Sequence, residues 1–571
     1  MNQGRLISTL LMGAVAVGAM ALPAKPGPVT VTEDDGTQQV VYMHGDEHFH
    51  YMTMANGQWV EMQEGRLQAV KGMTDEEVEA TWMARRAARI PRRVAAATEA
   101  AIPLNIAPKG LIVLAQFSDL DFKPANTLDA FRDMFDGDNY SYNGATGSAK
   151  QYFIDQSFGQ YVPEFDVVGP VTVSQTQKYY GENDGRGNDR RPDELIIEAC
   201  QLADTEFGVD FTQYDNNKDG YIDFVYVVYA GRGEADGGGS ATIWPHTSWI
   251  YQGYGKSVYL DGKLLDTYAC SNELQSGSAV IASRDGIGAF CHEFSHVLGL
   301  PDHYATNSST TKVTGNWDIM CAGSYNNSSR TPAGYTAYER FFCGWGKPVL
   351  LNEPFTCDSM QPLVTSGEMY IITSTGESNL IGNNPNPGTF YMLENRQKVS
   401  WDGFIPGHGL LLTCIRYNFT RWTQNTVNNY SPLGYDILEA DGKAPSLDYY
   451  DYDNGHYGKQ GDVFPAGDVK STDFLIEDHP VFETYPVSAI KENNDQTVYF
   501  RFMGGYDILT PRVKAEASEL YGADFTEIVA LYDVTGRLIT DEPKLNELNP
   551  GLYIVAVSNG KKTKGIKIFI Q

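Results

Sequence analysis

Cysteine, basic side chains and long apolar runs are all scarce in this sequence. Seven cysteines in 571 residues are few and odd in number, so no disulfide framework is evident and at least one thiol stays unpaired in a monomer. Lys and Arg number 43 against 72 Asp and Glu, a formal net charge of −29. That balance argues against general nucleic-acid binding and favours a soluble chain with sites for hard cations such as calcium. Beyond residues 6–20 there is no run of about twenty apolar residues to cross a bilayer, so no stable membrane span is expected. No cysteine follows that run to carry a lipid anchor. With Arg5 ahead of it and Ala19-Met20-Ala21 at its end, the run reads as an export signal over residues 1–24; an uncleaved anchor is the competing reading. The whole chain is 42% hydrophobic and 20% charged, within the globular range, and long enough for about three or four folded units.

What the sequence does have is CHEFSHVLGLPDH at residues 291–303, which is HExxH extended to HExxHxxGxxD. Positions four apart share a helix face, so His292 and His296 can converge their ring nitrogens on one cation. Glu293 would flank the open coordination position, where a carboxylate can take a proton from water. Gly299 can adopt positive φ, end the helix and turn the chain back. Asp302 would then be carried under the metal as a third ligand; His303 beside it is also a competent ligand, and register with the extended motif favours Asp302. An isolated HExxH can be an ordinary amphipathic helix with two histidines, but the extension argues for a zinc hydrolase.

Downstream, Trp317-Asp318-Ile319-Met320 precedes a glycine-containing turn at residues 322–324. It resembles the methionine turn beneath a metzincin zinc site. Together with the LGLPDHY continuation, it makes the chain resemble the metzincin-like zinc peptidases, in particular the immune inhibitor A family of secreted metalloproteases. The resemblance implies an α+β fold, a metzincin-like zinc peptidase domain followed by β-sandwich domains. It also implies a secreted endopeptidase, extracellular or at the cell surface, that acts on protein or peptide substrates and is made as a zymogen.

Residues 25–100 read as a propeptide. Residues 38–59 alternate apolar and polar side chains in a strand pattern, and Thr74 to Glu77 form a capping box that opens a helix, which Pro91 ends near Arg85, Arg86, Arg89, Arg92 and Arg93. The extension has no cysteine, so latency cannot use a thiolate. If a side chain there fills the open metal position, the candidates are His44, Asp46, Glu47, His48 and His50; the plainer reading makes them strand and turn residues.

The expected catalytic domain spans 101–352. Residues 110–117 and 224–229 read as buried strands and 192–206 as a helix. Residues 147–153 and 155–160 resemble the segment that precedes the active-site helix in the same peptidase family. Between helix and second strand, Asp215, Asn217, Asp219, Tyr221 (through its carbonyl) and Asp223 follow the first half of an EF-hand loop, with Gly220 at the sixth position. The twelfth position is Tyr226, so the bidentate glutamate is missing. Calcium is expected there, with a metal-free Asx turn as the alternative. His246 reads as a packed loop histidine, Cys291 and Cys321 as small buried residues. Tyr325 is a candidate oxyanion stabiliser, with simple packing as the alternative.

Residues 353–508 alternate short aromatic strands with Gly, Asn and Asp turns, as a β-sandwich would. FYMLENR at 390–396 and WDGFIPGHGLLL at 401–412 resemble the module that follows the catalytic domain in the same family; nothing in the spacing of Glu394 and His408 requires catalysis. Residues 509–571 read as a small β domain. It resembles the sorting domains of the type IX secretion pathway, which implies contact with secretion machinery; an immunoglobulin-like accessory module is the alternative. Two other functions stay open: a catalytically silent protein that binds surface glycan or host protein, and a zinc-dependent amidase. The intact Glu293 argues against the first, since a binding module needs no general base.

Overall fold

The computed structural model describes residues 20–33, 35–63, 65–89, 107–184, 188–275, 283–307, 314–444, 458–505, 509–541, 543, 545, 548 and 551–570. Most of the export signal, Pro91 with Arg92 and Arg93, and the tyrosines at 449–457 lie outside the described residues. Contacts divide the chain into two units, one of residues 1–349, 361–371 and 378–466, the other of 350–360, 372–377 and 467–571.

The first unit is built on a six-stranded sheet of β1 (Met20–Ala21), β2 (Lys109–Gln116), β3 (Glu164–Thr172), β4 (Val225–Arg232), β5 (His246–Trp249) and β6 (Thr267–Leu274), in the order β1-β5-β6-β4-β2-β3. Strands β6, β4, β2 and β3 run parallel, while β5 and β1 join antiparallel at one edge. The two apolar runs expected as core strands are β2 and β4, paired in register from Leu111 with Val225 to Ala115 with Tyr229. Because successive side chains alternate faces, each strand feeds two cores. Leu111 and Val113 face a core with Leu195, Ile196 and Ala199 of helix α1 (Pro192–Phe207). Ile112 and Leu114 face a second core with Phe290 and Phe294 of helix α2 (Gly288–Val297).

That second core fixes the helix carrying HExxH. The Phe290 ring lies 4.8 Å from Tyr226 and 4.9 Å from Phe165, and Phe294 lies 5.1 Å from Phe224. Burying each phenylalanine stabilises the fold by about 1.5–3 kcal/mol. With Phe290 and Phe294 turned to the sheet, His292 and His296 are directed elsewhere, as their two-residue offset on a helix requires.

Residues 28–69 form a five-stranded antiparallel sheet. A helix at Asp75–Arg89 follows it. The Thr74 capping box is present, with Thr74 N–H donating to Glu77 at 2.8 Å and Glu77 N–H to Thr74 at 3.2 Å.

The sequence division after residue 352 does not coincide with the division by contacts, because 378–466 cluster with the first unit. Antiparallel strands Thr389–Arg396, Gly409–Arg416 and Tyr435–Ile437 lie in this segment. Arg396, fully buried, grips Asp402 through Nε at 2.8 Å and a terminal nitrogen at 2.7 Å, reaches Glu394 at 3.1 Å, and donates to the Gly334 carbonyl at 3.3 Å. Glu394 also accepts the Ala337 N–H, and Trp401 donates to Asp155 at 2.8 Å. Glu394 is thus a structural anchor; His408 is exposed.

The second unit holds a three-stranded antiparallel sheet (Phe355–Met360, Val498–Phe502, Val487–Glu492) and a four-stranded sheet whose members include Glu527–Asp533 and Gly551–Ser558. The latter are the two strands expected near the C-terminus. A helix at Leu509–Tyr521 was not expected in a β domain. Its signal is present in Val513 and Ala517, four apart and both buried.

Candidate metal centre

Helix α2 ends as the motif demands: Gly299 has φ of +96°, and its N–H bonds the His296 carbonyl at 2.9 Å. The chain turns there, which is the left-handed region only glycine enters freely. Asp302 Oδ1 comes to 3.1 Å from His292 Nε2 and 3.4 Å from His296 Nε2, all three residues being buried. None of these three atoms makes a hydrogen bond of acceptable geometry among the described residues. The other ring nitrogens are committed, His292 Nδ1 to the Ile319 carbonyl at 2.7 Å and His296 Nδ1 to the Leu300 carbonyl at 2.8 Å. Each Nδ1 therefore carries its proton, and each Nε2 lone pair points inward. Two imidazoles and a carboxylate converging without partners fit zinc, whose tetrahedral site would keep one position open.

Burial alone would raise the Asp302 carboxyl, but His296 and His292 hold it well below the usual range. Asn425 Nδ2 donates to its Oδ2 at 2.5 Å, and Asn425 Oδ1 accepts the Asp302 N–H at 2.7 Å. His303 turns away: its Nδ1 bonds Asp318 Oδ2 at 2.7 Å, and its N–H reaches the Met320 carbonyl at 2.9 Å. Burial and the neighbouring Asp318 push the Glu339 carboxyl up, while against burial His303 and Glu339 pull Asp318 down. Met320 is fully buried, its N–H on Asp318 at 2.7 Å. Gly288 allows the following turn to lie on α2, since a Cβ there would meet the Ser324 carbonyl at 1.9 Å.

Glu293 is buried and pushed up to about 7, by burial first, with His292 and Thr247 opposing. Its Oε2 accepts from Thr247 Oγ1 at 2.6 Å and its Oε1 from the Leu22 N–H at 3.1 Å. The latter contact comes from a segment that the sequence assigns to the export signal. Strand β1 pairs antiparallel with edge strand β5, Met20 opposite Thr247 and Ala21 opposite His246. Leu22 then accepts from Trp244 Nε1 at 3.2 Å, and the Pro23 carbonyl accepts from Tyr325 Oη at 2.8 Å.

The N-terminal side chains offered as candidates for the open metal position have other contacts. His44 bonds Thr53 at 2.9 Å, and Asp46 accepts the His48 N–H at 2.8 Å and Trp82 Nε1 at 2.9 Å. Glu47 and His48 pair at 3.0 Å. His50 stacks on Trp244 with 4.5 Å between centroids and bonds Glu234 at 3.1 Å. His246 is packed as expected, with Nδ1 on the Trp244 carbonyl at 2.7 Å and Nε2 on Tyr268 at 2.8 Å. Cys291 and Cys321 are buried thiols.

In the acidic turn, Asp215, Asp219 and Asp223 bring carboxylate oxygens within 4.8 Å of one another. Asn217 is engaged with Asp219, accepting its N–H at 2.9 Å and donating to its Oδ2 at 3.1 Å. Tyr221 continues into a strand beside Leu264. Lys263 Nζ lies 2.5 Å from Asp215 Oδ2, so an ammonium already answers part of the negative charge. Asp223 is pushed up to about 7 by burial, with Asn216 opposing and Asp219 and Asp215 adding to the rise.

A helix presenting two histidines and a carboxylate, closed by an aspartate after a glycine turn, forms a candidate HExxH metal site of the extended type. Residues 114–344 match the family described as immune inhibitor A peptidase M6, catalytic domain, so the resemblance read from the sequence holds over that segment. The chain is 27% identical over 222 residues to an immune inhibitor A of Bacillus thuringiensis subsp. alesti, covering 34% of this chain and 31% of that protein. It is 27% identical over 227 residues to the pre-pro-metalloprotease PrtV of Vibrio cholerae serotype O1 (strain M66-2), covering 35% and 24%. The match thus spans less than a third of either relative. Among the described residues no helix is long and apolar enough to cross a membrane.

Proposed function

We propose that the chain is a zinc-dependent endopeptidase of extracellular proteins, made as a zymogen. One observation carries this reading: a main-chain N–H of an extended segment sits 3.1 Å from Glu293, beside the converged His292, His296 and Asp302. Zinc held by those three would supply Lewis acidity toward a carbonyl and toward water. Glu293 accepts a proton from the attacking water and delivers it to the leaving nitrogen, the kind of atom that Leu22 places at its Oε1. Thr247 fixes the carboxyl's orientation. Strand β5 pairs with the extended stretch β1 beside Glu293, and an edge that takes up an extended polypeptide favours a peptide substrate over a glycan or a simple amide. Tyr325 donates to a carbonyl one residue beyond Leu22, so its role is to hold the bound chain. The relatives' names, immune inhibitor A and metalloprotease PrtV, agree with a peptidase.

The domain boundaries drawn from the sequence belong to the same reading, with residues 25–100 removed on activation and the C-terminal residues serving export. Calcium at Asp215, Asp219 and Asp223 rests on their oxygen ligands alone. The test is cleavage of folded and denatured proteins by the processed chain beside Glu293→Ala, with bound zinc measured in both. Activity lost with zinc retained supports the assignment; no cleavage by the zinc-loaded wild type overturns it.

A further inference from the structure

The turn that follows the metal centre commits three successive carbonyls to three different tasks. The Asp318 carbonyl closes the turn itself, accepting the N–H groups of Cys321 at 3.1 Å and Gly323 at 2.9 Å. The Ile319 carbonyl takes Nδ1–H of His292 at 2.7 Å, and the Met320 carbonyl takes the His303 N–H at 2.9 Å. One short turn thus stands behind a histidine ligand and beside the residue that follows the carboxylate ligand. It is closed tightly, since a Cβ on Gly323 would clash with the Asp318 carbonyl.

The Asp318 side chain joins the same two elements again. Its Oδ1 accepts the Met320 N–H at 2.7 Å, and its Oδ2 lies 2.7 Å from His303 Nδ1. A carboxylate only accepts, so Nδ1 carries the proton. Both side chains are fully buried, where a group that loses its partner is left unsatisfied rather than handed to water. His303 is also held from its other sides: its carbonyl accepts from Asn428 Nδ2 at 2.8 Å, and its ring meets Tyr435 edge-on with 4.4 Å between centroids. The imidazole that the sequence offers as a rival ligand therefore ties the chain of Asp302 to the turn. Metal–ligand distances hold to about 0.2 Å, so a shift of this loop against the turn would take Asp302 away from a cation held by His292.

We infer that His303 is a positioning residue of the metal centre: bonded to Asp318, it locks the loop that delivers Asp302 to the turn whose Ile319 carbonyl orients the His292 ring. The inference rests on the metal reading of His292, His296 and Asp302, and adds to it a residue that acts through others.

The test is the zinc affinity of the full-length chain and its variants, by competition with a chromophoric chelator. His303→Leu removes the donor to Asp318 and should weaken zinc binding about 10- to 100-fold, the order of losing support behind a metal ligand. Asparagine carries an amide N–H at the position where histidine carries Nδ1–H, so His303→Asn should bring affinity back close to wild type. Leu195→Ala removes packing from the core on the other face of the sheet; it should lower the melting temperature and leave zinc affinity unchanged. Where leucine prevents folding, His303→Gln serves in its place, since it keeps a donor but displaces it by one bond, and its affinity should fall between those of wild type and a chain without the donor. Wild-type affinity in the leucine or glutamine variant, no rescue by asparagine, or an equal loss in Leu195→Ala overturns the inference. A second readout is the visible absorption of the chain loaded with Co2+, which reports ligand geometry. A shifted spectrum in His303→Leu that His303→Asn restores supports the lock, and a spectrum identical to wild type overturns it. If the wild type takes up no zinc, the metal reading falls and this inference with it; zinc held equally by wild type and His303→Leu overturns the inference alone.

Discussion

Asn425 holds Asp302 from both sides, donating to its carboxylate at 2.5 Å and accepting its main-chain N–H at 2.7 Å. The two residues are 123 positions apart, and the asparagine adopts φ of +53°, a conformation it tolerates better than most residues. The brace sets which oxygen of Asp302 faces the histidines.

Replacing Asn425 with alanine is therefore expected to loosen the metal centre. Zinc affinity should fall about 10- to 100-fold, the usual cost of losing a partner behind a metal ligand. Competition with a chromophoric chelator measures this. Unchanged affinity would show that the brace does not act on the metal.

Tyr325→Phe removes the hydroxyl on the Pro23 carbonyl. A net hydrogen bond of about 1 kcal/mol corresponds to roughly fivefold weaker retention of the N-terminal segment. The processed form should then appear correspondingly faster in a time course of purified full-length chain.

The sheet of residues 28–69 carries opposed pH dependences. His44, buried against Thr53 and Tyr51, is pushed down from 6.5 to about 4 by burial. Above pH 6.5 it is neutral in both states. As pH falls from 6.5 to about 4, the unfolded chain takes up a proton that the folded one refuses, and stability drops by up to about 3 kcal/mol. His50 runs the other way, since Glu234 holds it above its ordinary value despite burial. Its contribution is full below its unfolded value and lost as pH rises through the folded one. Hydrogen exchange of residues 38–53 should show protection falling on acidification, and His44→Phe should flatten that fall.

Arg396→Met would leave Asp402 and Glu394 buried without their cation. Destabilisation of about 3–5 kcal/mol is expected, because breaking a buried pair costs more than the pair contributes. Thermal melting of the first unit reports it; a melting temperature within a degree or two of wild type would contradict this account.

For the acidic turn, Lys263→Gln removes the ammonium at Asp215. If calcium binds there, its affinity should rise in the variant, read as a larger calcium-induced increase in melting temperature. No response to calcium in either protein would leave the turn as a hydrogen-bonded Asx structure closed by lysine.

What the sequence made legible was local. The i, i+4 histidines, Glu293 and the glycine turn lie within one short motif, and strands β2 and β4 announce themselves as apolar runs because both faces are covered. Asn425 and Leu22 could not be read in this way, since tertiary folding brings them to the site from far along the chain. Residues 20–24 also carry the composition of an export signal, which hides their pairing with β5. The helix at Leu509–Tyr521 was missed because strand-rich surroundings outweighed a weak four-residue spacing. In the acidic turn the alternation of oxygen side chains was visible, but Lys263, 48 residues on from Asp215, was not.

Residues 114–344 are the portion that matches the family, yet Arg396, Trp401 and Asn425 all lie beyond it. The matched segment is thus shorter than the first unit. A fragment cut at the end of the matched segment would lose the guanidinium bonded to Gly334 and the amide behind Asp302 while keeping every residue of the motif. Moving the candidate site onto another protein therefore calls for the first unit's chain through residue 466.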